Sequence, residues 1–315
     1  MIALDVLRND TRQWLRLAPA PRHVNVVTED VSVDEDFERR RIVFAAPDGD
    51  LIPAFLLVPT GRRLPGPAVL VHHQHKGERH LGKSEVCGLA GDPLQAFGVA
   101  LAQRGFVVLA PDSICFEDRR SGRSGVEPHV SDWQQHYNEM TYRLVRGDTL
   151  MRKVLDDAAA AISVLNALDI VDTSRIGALG HSYGGNTVLF QAALDERVRF
   201  ACASGAACSY RHKMEHGTGI EMAEVLPDVV GRLDIDDLLC LMAPRPMLVV
   251  SASEDPYSAD AAEVVRRARN ACVEANASHA LEHARYEGGH AMTRDRFDHI
   301  VEWLVRTATD ERSFS

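Results

Sequence analysis

The stretch Arg175-Ile176-Gly177-Ala178-Leu179-Gly180-His181-Ser182-Tyr183-Gly184-Gly185 restricts the fold of this chain more than any other. A short apolar strand runs into Gly-x-Ser-x-Gly, and a helix-compatible run from Asn186 to Leu194 follows at once. Strand, turn and helix in that succession are the context of a nucleophile elbow. The chain reverses so sharply at Ser182 that the residues two before and two after it nearly collide. Glycine at 180 and 184 relieves the collision because it has no Cβ. The turn lifts the Ser182 hydroxyl above the end of a sheet, and the next helix aims its N-terminal amides at the same place. A Gly-rich turn that only packs closely would share the five letters, so the flanking strand and helix give the pattern its weight.

The elements around that turn alternate. Arg39 to Phe44 and Leu51 to Val58 flank Pro47-Asp48-Gly49-Asp50, a strand–turn–strand signal. Buried-strand runs follow at Ala68 to His72 and Phe106 to Ala110, with a helical stretch from Pro93 to Arg104 between them. Val154, Leu155, Ala158, Ile162 and Leu165 recur at helical spacing and predict a long helix over 150–168. Beyond the elbow come strands at Val198 to Ala203 and Met247 to Val250, then a helix from Asp260 to Glu274. A polar strand, Ala280 to Tyr286, and a final helix from Asp295 to Arg306 close the series. This order predicts an α/β sandwich: a mostly parallel central sheet with antiparallel N-terminal strands and helices on both faces.

The expected organisation is an N-terminal helical arm over 1–38, with Leu4, Leu7, Trp14, Leu15 and Leu17 as its apolar positions, and one α/β domain over 39–315. Two long segments, about 113–148 and 209–237, interrupt the alternation after strand C-termini. Segments of that length in a compact domain are usually functional, and these fall on the side where open α/β sheets bind ligands.

A serine hydroxyl is a poor nucleophile near neutral pH; it needs a base, and the base needs an orienting acid. In this architecture they follow in the order Ser, acid, His. Met247 to Pro256 supplies a strand, small residues and then carboxylates. Asp255 is the expected acid, with Glu254 as substitute and Asp260 third because it opens a helix. Tyr286-Glu287-Gly288-Gly289-His290 supplies the base, its glycines letting a short loop reach over the sheet edge. His279, His283 and His299 compete from strand or helix positions. The loop His72-His73-Gln74-His75-Lys76-Gly77 is expected to give the second oxyanion donor, the amide of Gln74 or His75, beside that of Tyr183.

His72, His73, His75 and His80 do not have the spacing of a helical His-x-x-x-His pair or a Cys/His site, so no metal is expected. One or two of these histidines are expected to line a pocket; His73, together with His181 of the elbow, is the candidate. From the 113–148 segment Arg119, Trp133 and Tyr137 are candidate walls. Aromatic rings would shape an acyl or alcohol pocket, and an arginine would pair with a substrate carboxylate. Arg119 or Arg123 facing Ser182 would point to an acidic substrate; Trp133 with the tyrosines alone would point to a neutral or aromatic ester. Lys213, Glu215 and His216 are candidates for the opposite wall.

The residues resemble a family. Val71-His72-His73-Gln74 with Gly82-Lys83-Ser84-Glu85, Leu101 to Asp112, Asp172 to Gly177 leading into the elbow, Leu241-Met242-Ala243-Pro244-Arg245-Pro246, and Gly288-Gly289-His290 occur in the order found in the α/β-hydrolases. Within these the chain is similar to dienelactone-hydrolase-like and acetyl-xylan-esterase-like serine esterases, over about residues 40–305. The resemblance implies ester hydrolysis through an acyl-enzyme, with Ser182, Asp255 and His290 as triad and no metal or organic cofactor. Three departures stand out. Dienelactone hydrolases proper use a cysteine where this chain has Ser182, the usual His-Gly of the oxyanion loop reads His73-Gln74, and Ala252 replaces the glycine often found three residues before the acid.

With 45% hydrophobic and 25% charged residues the chain has ample core material, and its formal net charge of −10 has the wrong sign for a nucleic-acid or anionic-membrane binder. No apolar run approaches the roughly 20 residues of a membrane helix. Residues 1–22 lack the apolar core of an export signal. Six scattered cysteines without a Cys-x-x-Cys pair read as reduced. A cytoplasmic protein is expected, its arm packed on the body or on a second subunit of a homodimer. The expectation is a hydrolase of a small or medium carboxylic ester. The alternatives on the same residues are a peptidase or amidase, and acyl transfer, lyase or cyclase chemistry; a binding protein that kept the fold is the rival from another class.

Overall fold

The computed structural model describes residues 2–274 and 280–310. The chain starts with helix α1 (Ile2–Trp14) and strands β1 (Val26–Val33), β2 (Phe37–Ala45), β3 (Leu51–Pro59) and β4 (Gly66–His72). Next come α2 (Lys83–Val86), α3 (Phe97–Ala102), β5 (Val107–Pro111), α4 (Asp132–Val145) and α5 (Leu150–Asn166). The centre of the fold is β6 (Val171–His181) followed directly by α6 (Tyr183–Leu194). Strand β7 (Phe200–Ser204), helices α7 (Tyr210–His216) and α8 (Ile235–Met242), β8 (Met247–Ala252), α9 (Ala261–Glu274), β9 (Leu281–Tyr286) and α10 (Arg294–Thr309) complete it.

The nine strands form one sheet in the order β1-β2-β3-β5-β4-β6-β7-β8-β9. The pairs β1–β2, β2–β3 and β3–β5 are antiparallel; every later pair is parallel. Both faces of the parallel part are covered, which explains why its strands read as unbroken apolar runs. Side-chain alternation sorts them into two cores. Ala68, Leu70, Leu109 and Ala178 join α5, α6, α8 and α9 on one face. Val69, Val71, Val108 and Leu179 meet α3 and α10 on the other. Each such Val, Leu or Phe taken fully out of water contributes about 1.5–3 kcal/mol.

Helix α1 packs on α6 and α8. Arg8 donates to the Ala193 and Leu241 carbonyls at 3.1 and 2.9 Å, and Arg12 to Leu194 at 2.6 Å. These cations occupy the carbonyl-rich C-terminal ends of two helices, where helical bonding leaves acceptors unpaired. Within 1–38, expected to be helical, residues 26–33 form β1 instead. All eight side chains of β1 are exposed, so the ladder to β2 holds the strand with no buried face to give it a pattern. Among the described residues no helix is long and apolar enough to cross a membrane.

Candidate active site

Strand β6 lies between β4 and β7, and its buried run ends at His181. The next residue, Ser182, has φ 56° and ψ −121°. A non-glycine residue in such a sparsely populated region persists only where its surroundings fix it. The fixing is visible: a Cβ on Gly180 would lie 2.2 Å from the Gly184 carbonyl carbon, and one on Gly184 would lie 2.3 Å from the His72 carbonyl oxygen. The two glycines therefore answer to backbone packing, and the turn cannot open without moving β4.

Ser182 Oγ donates to His290 Nε2 at 2.8 Å, and His290 Nδ1 donates to Asp255 Oδ1 at 2.9 Å. The carboxylate only accepts, so the ring proton sits on Nδ1 and leaves Nε2 free to take the serine proton. Asp255 follows β8 and opens a short turn, where it also accepts from the Tyr257 amide at 3.0 Å and the Ser258 hydroxyl at 2.7 Å. Burial opposes its charge, but the bonds from His290, Ser258 and Tyr257 outweigh burial and hold its carboxyl below the usual range.

His290 stands on the loop between β9 and α10. Gly288 turns that loop at φ 102°, and its carbonyl accepts from the Glu254 amide at 2.9 Å. Arg296, 3% exposed, clamps the loop from α10, donating to the carbonyls of Gly289 (2.8 Å), Ala291 (3.0 Å) and Glu287 (3.0 Å). His181 stacks on the other side of His290 with ring centroids 4.9 Å apart, and its Nδ1 bonds Ser204 Oγ at 3.0 Å. Burial holds His181 down to about 3, so it packs as a neutral ring. Arg296 is expected to matter through this loop alone. Arg296→Met should lower kcat by about tenfold to a hundredfold while moving KM little, since a misplaced base costs rate rather than binding. Steady-state kinetics on the variant checks this, and Arg296→Lys should recover part of the loss.

The competing residues are otherwise engaged. Asp260 accepts from the amide and hydroxyl of Ser209 at 3.0 and 2.6 Å, His283 Nε2 bonds Ser251 Oγ at 2.8 Å, and His299 Nδ1 bonds the Tyr286 hydroxyl at 2.5 Å. His279 lies outside the described residues.

Tyr183 is the first residue of α6, and its amide is one of that helix's orphan donors. The amides of Gln74 and His75 form no hydrogen bond among the described residues. None of the three is therefore engaged among the described residues. The Gln74 side chain points elsewhere, to Glu85 Oε1 at 3.1 Å.

Ser182 and His290 open on a cavity of about 410 Å³. Both excursions wall it: Trp133 comes from α4, and Lys213, Glu221 and Glu224 come from the segment after β7. Asn186, one helical turn past Ser182, lines the cavity, and its buried Oδ1 has no partner among the described residues. Four pocket expectations need correction. Arg119 is buried away from the cavity, bonded to Asp157 at 2.8 Å and to the Asp112 carbonyl at 3.2 Å. His73 is tied to the Gln74 carbonyl and the Ser113 amide at 2.8 and 3.1 Å, with no place in the cavity wall. His181 supports His290 from below the cavity. Tyr137 stacks on Trp133 with centroids 5.2 Å apart and does not itself line the wall.

The sequence reading missed Arg79, Glu221 and Asn186. The i, i+4 spacing of Asn186 from Ser182 could have flagged it; nothing local marks the other two. The histidines after β4 do not converge: His72 Nε2 meets Gln191 at 2.7 Å, while His75 Nε2 meets Glu221. Among the described residues Asp112, Glu117 and Asp118 form the one group that could hold a metal, and Lys83 Nζ already occupies it at 2.5–2.7 Å.

A serine–histidine–aspartate relay at a strand–helix turn, above a mostly parallel sheet with antiparallel strands at one edge, defines the α/β-hydrolase class. Within that class the chain belongs to the dienelactone hydrolase family, whose pattern it matches over residues 52–302. YtaP of Bacillus subtilis (strain 168) is 30% identical over 213 residues, covering 64% of this chain and 65% of that protein. The match thus spans just under two thirds of that relative's length. Similar solved structures include methylesterase BT1017 (TM-score 0.71, 16% identity, 99% of this chain and 65% of that one). A glucuronoyl esterase from Solibacter usitatus has a TM-score of 0.65 at 16% identity, over 94% and 91% of the two chains. An acetyl xylan esterase from Paenibacillus sp. R4 has a TM-score of 0.64 at 17% identity, over 96% and 93%. At such identities the likeness is one of fold.

Proposed function

We propose that this protein hydrolyses a small or medium carboxylic ester through an acyl-enzyme. One observation carries the reading: Ser182 Oγ, His290 and Asp255 are joined by hydrogen bonds of 2.8 and 2.9 Å beside a cavity large enough for a substrate. Ser182 attacks the ester carbonyl while His290 Nε2 takes its proton. Asp255 keeps the imidazole in the competent tautomer and stabilises its cation. The amides of Tyr183 and of Gln74 or His75 hold the tetrahedral oxyanion, and one such donor is worth about 3 kcal/mol in the transition state. The protonated His290 then gives its proton to the leaving alcohol. In the second half it activates water, which releases the acid and frees Ser182. The family membership and the esterases that share the fold support this choice of reaction.

A fluorophosphonate probe tests it. The unaltered protein should be labelled and Ser182→Ala should not, and short-chain nitrophenyl esters should be turned over with a burst no larger than one equivalent. A protein that resists the probe, or that cleaves aminoacyl anilides faster than esters, would end the proposal.

A further inference from the structure

We propose that Arg79 is the receptor for a carboxylate carried by the substrate, so that the ester this protein prefers is anionic; this rests on the ester-hydrolase reading and sharpens it. Arg79 is 4% exposed and lines the same cavity as Ser182. Its one side-chain hydrogen bond among the described residues runs from Nε to His136 Nδ1 at 3.3 Å. An imidazole brings no countercharge to a guanidinium, and complete burial, which holds the His136 ring neutral down to about 3, keeps it from adding a second cation. The guanidinium also lies over the Phe116 ring, 5.9 Å from its centroid. The terminal nitrogens, Nη1 and Nη2, have no protein acceptor among the described residues, and the side chain belongs to the cavity lining.

Three other buried cations are paired with carboxylates, and buried Arg296 is bonded to three backbone carbonyls. Lys83 meets Asp112, Glu117 and Asp118, Lys153 meets Asp48, Asp50 and Asp157, and Arg120 meets Asp132, all at 3.0 Å or less. Burying a charge is costly unless it is paired and hydrogen-bonded, so a guanidinium left with two free nitrogens invites an anion that arrives with the ligand. Its planar fork fits a carboxylate with two parallel bonds. Burial pulls the Arg79 pKa down, and the more distant charge of Glu221 offsets only part of that pull.

Of the rest of the lining only Glu221 sets a negative charge against Arg79, and it offsets that charge in part without bonding to it. Lys213 is neutralised by Glu224 at 2.7 Å. Glu221 is already bonded to His75, whose Nδ1 accepts from the Gly77 amide at 2.8 Å, so the imidazole is neutral and donates from Nε2. Exposed Lys76 adds a further cation. The cavity therefore sets Arg79, Lys76 and Lys213 against Glu221 and Glu224, a positive balance inside a chain of net charge −10.

Two matched ester pairs test the assignment on either side of the scissile bond. The mono-4-nitrophenyl ester of glutaric acid against 4-nitrophenyl pentanoate places the carboxylate in the acyl part. The 4-acetoxybenzoate ion against its methyl ester places it in the alcohol part. In at least one pair the unaltered protein should favour the anion by about tenfold or more in kcat/KM. Arg79→Gln should reduce the anionic ester by about a hundredfold, mainly through KM, while the neutral partner stays within about threefold. Arg79→Lys should fall between. Preference for the neutral ester in both pairs, or an equal loss on both members in Arg79→Gln, overturns the proposal. Fluorophosphonate labelling of Ser182 at an unchanged rate shows that the variant is intact. If the unaltered protein is not labelled, the ester-hydrolase reading fails instead; calorimetric titration of Ser182→Ala with glutarate, with and without Arg79→Gln, still decides whether Arg79 binds carboxylate.

Discussion

Ser182→Ala should turn over an ester about 10⁴- to 10⁶-fold more slowly than the unaltered protein, and His290→Ala should fall by a similar factor. KM should hardly change, because neither side chain is needed to fill the cavity. The size of the effect follows from the geometry. The alcohol oxygen is made reactive only by the 2.8 Å bond to a ring nitrogen that carries no proton. Without the ring the hydroxyl keeps its proton, and without the hydroxyl no acyl-enzyme forms. The two losses should not add: the double variant should be about as slow as either single one, since each removes the same step. Asp255→Asn should cost about 10⁴-fold, because an amide that donates to Nδ1 selects the wrong tautomer. Initial rates on a nitrophenyl ester, with active-site titration to exclude carry-over of unaltered protein, measure all four. Retention of more than about one per cent of the rate in Ser182→Ala would remove the acyl-enzyme mechanism.

The second large effect is on stability in mild acid. His73, His136 and His181 are at most 2% exposed, and burial first of all holds each ring down to about 3. In the unfolded chain each titrates near 6.5. Between those values the unfolded state binds protons that the folded state refuses, so stability is full above 6.5 and is lost as the pH falls towards 3. At pH 5 each histidine removes about 2 kcal/mol, and the three together several. The lowered Asp255 carboxyl acts in the same sense but further down, its share being present above the ordinary carboxylate range and lost below it. Urea unfolding at pH 7.5 and 5 should show a marked drop in midpoint. Replacing one of the three rings with glutamine should flatten the slope between pH 6 and 4 by about 1.4 kcal/mol per pH unit. A midpoint constant from pH 7.5 to 5 would contradict the burial argument.

The sequence made the sheet legible because its parallel strands are buried on both faces. Ala68 to His72 and Phe106 to Ala110 announce themselves as apolar runs and become β4 and β5. It made β1 illegible for the opposite reason, since a strand with every side chain in water carries no period. Helices α4 and α7 also went unread, being short or polar pieces of longer excursions. The line of Ser182, Asp255 and His290 could be drawn in advance because each sits at a strand end whose local letters are constrained by backbone geometry: glycines around the serine, small residues before the acid, glycines before the histidine. The cavity wall had no such grammar. Arg119 and Arg79 look alike in the sequence; what separates them is that Asp157 bonds the first while the second belongs to the cavity lining. Arg296 is likewise an ordinary helix residue until its three carbonyl partners are seen.

The bond between Glu221 and His75 joins two parts with different duties. One is the excursion after β7, which walls the cavity; the other is the loop after β4, whose Gln74 or His75 amide is the proposed second oxyanion donor. On that reading, a molecule that pushes the excursion aside would pull on the loop through this bond. Poorly fitting compounds would then dock and yet fail to react, so that selectivity is exercised at the bond-breaking step rather than at the door.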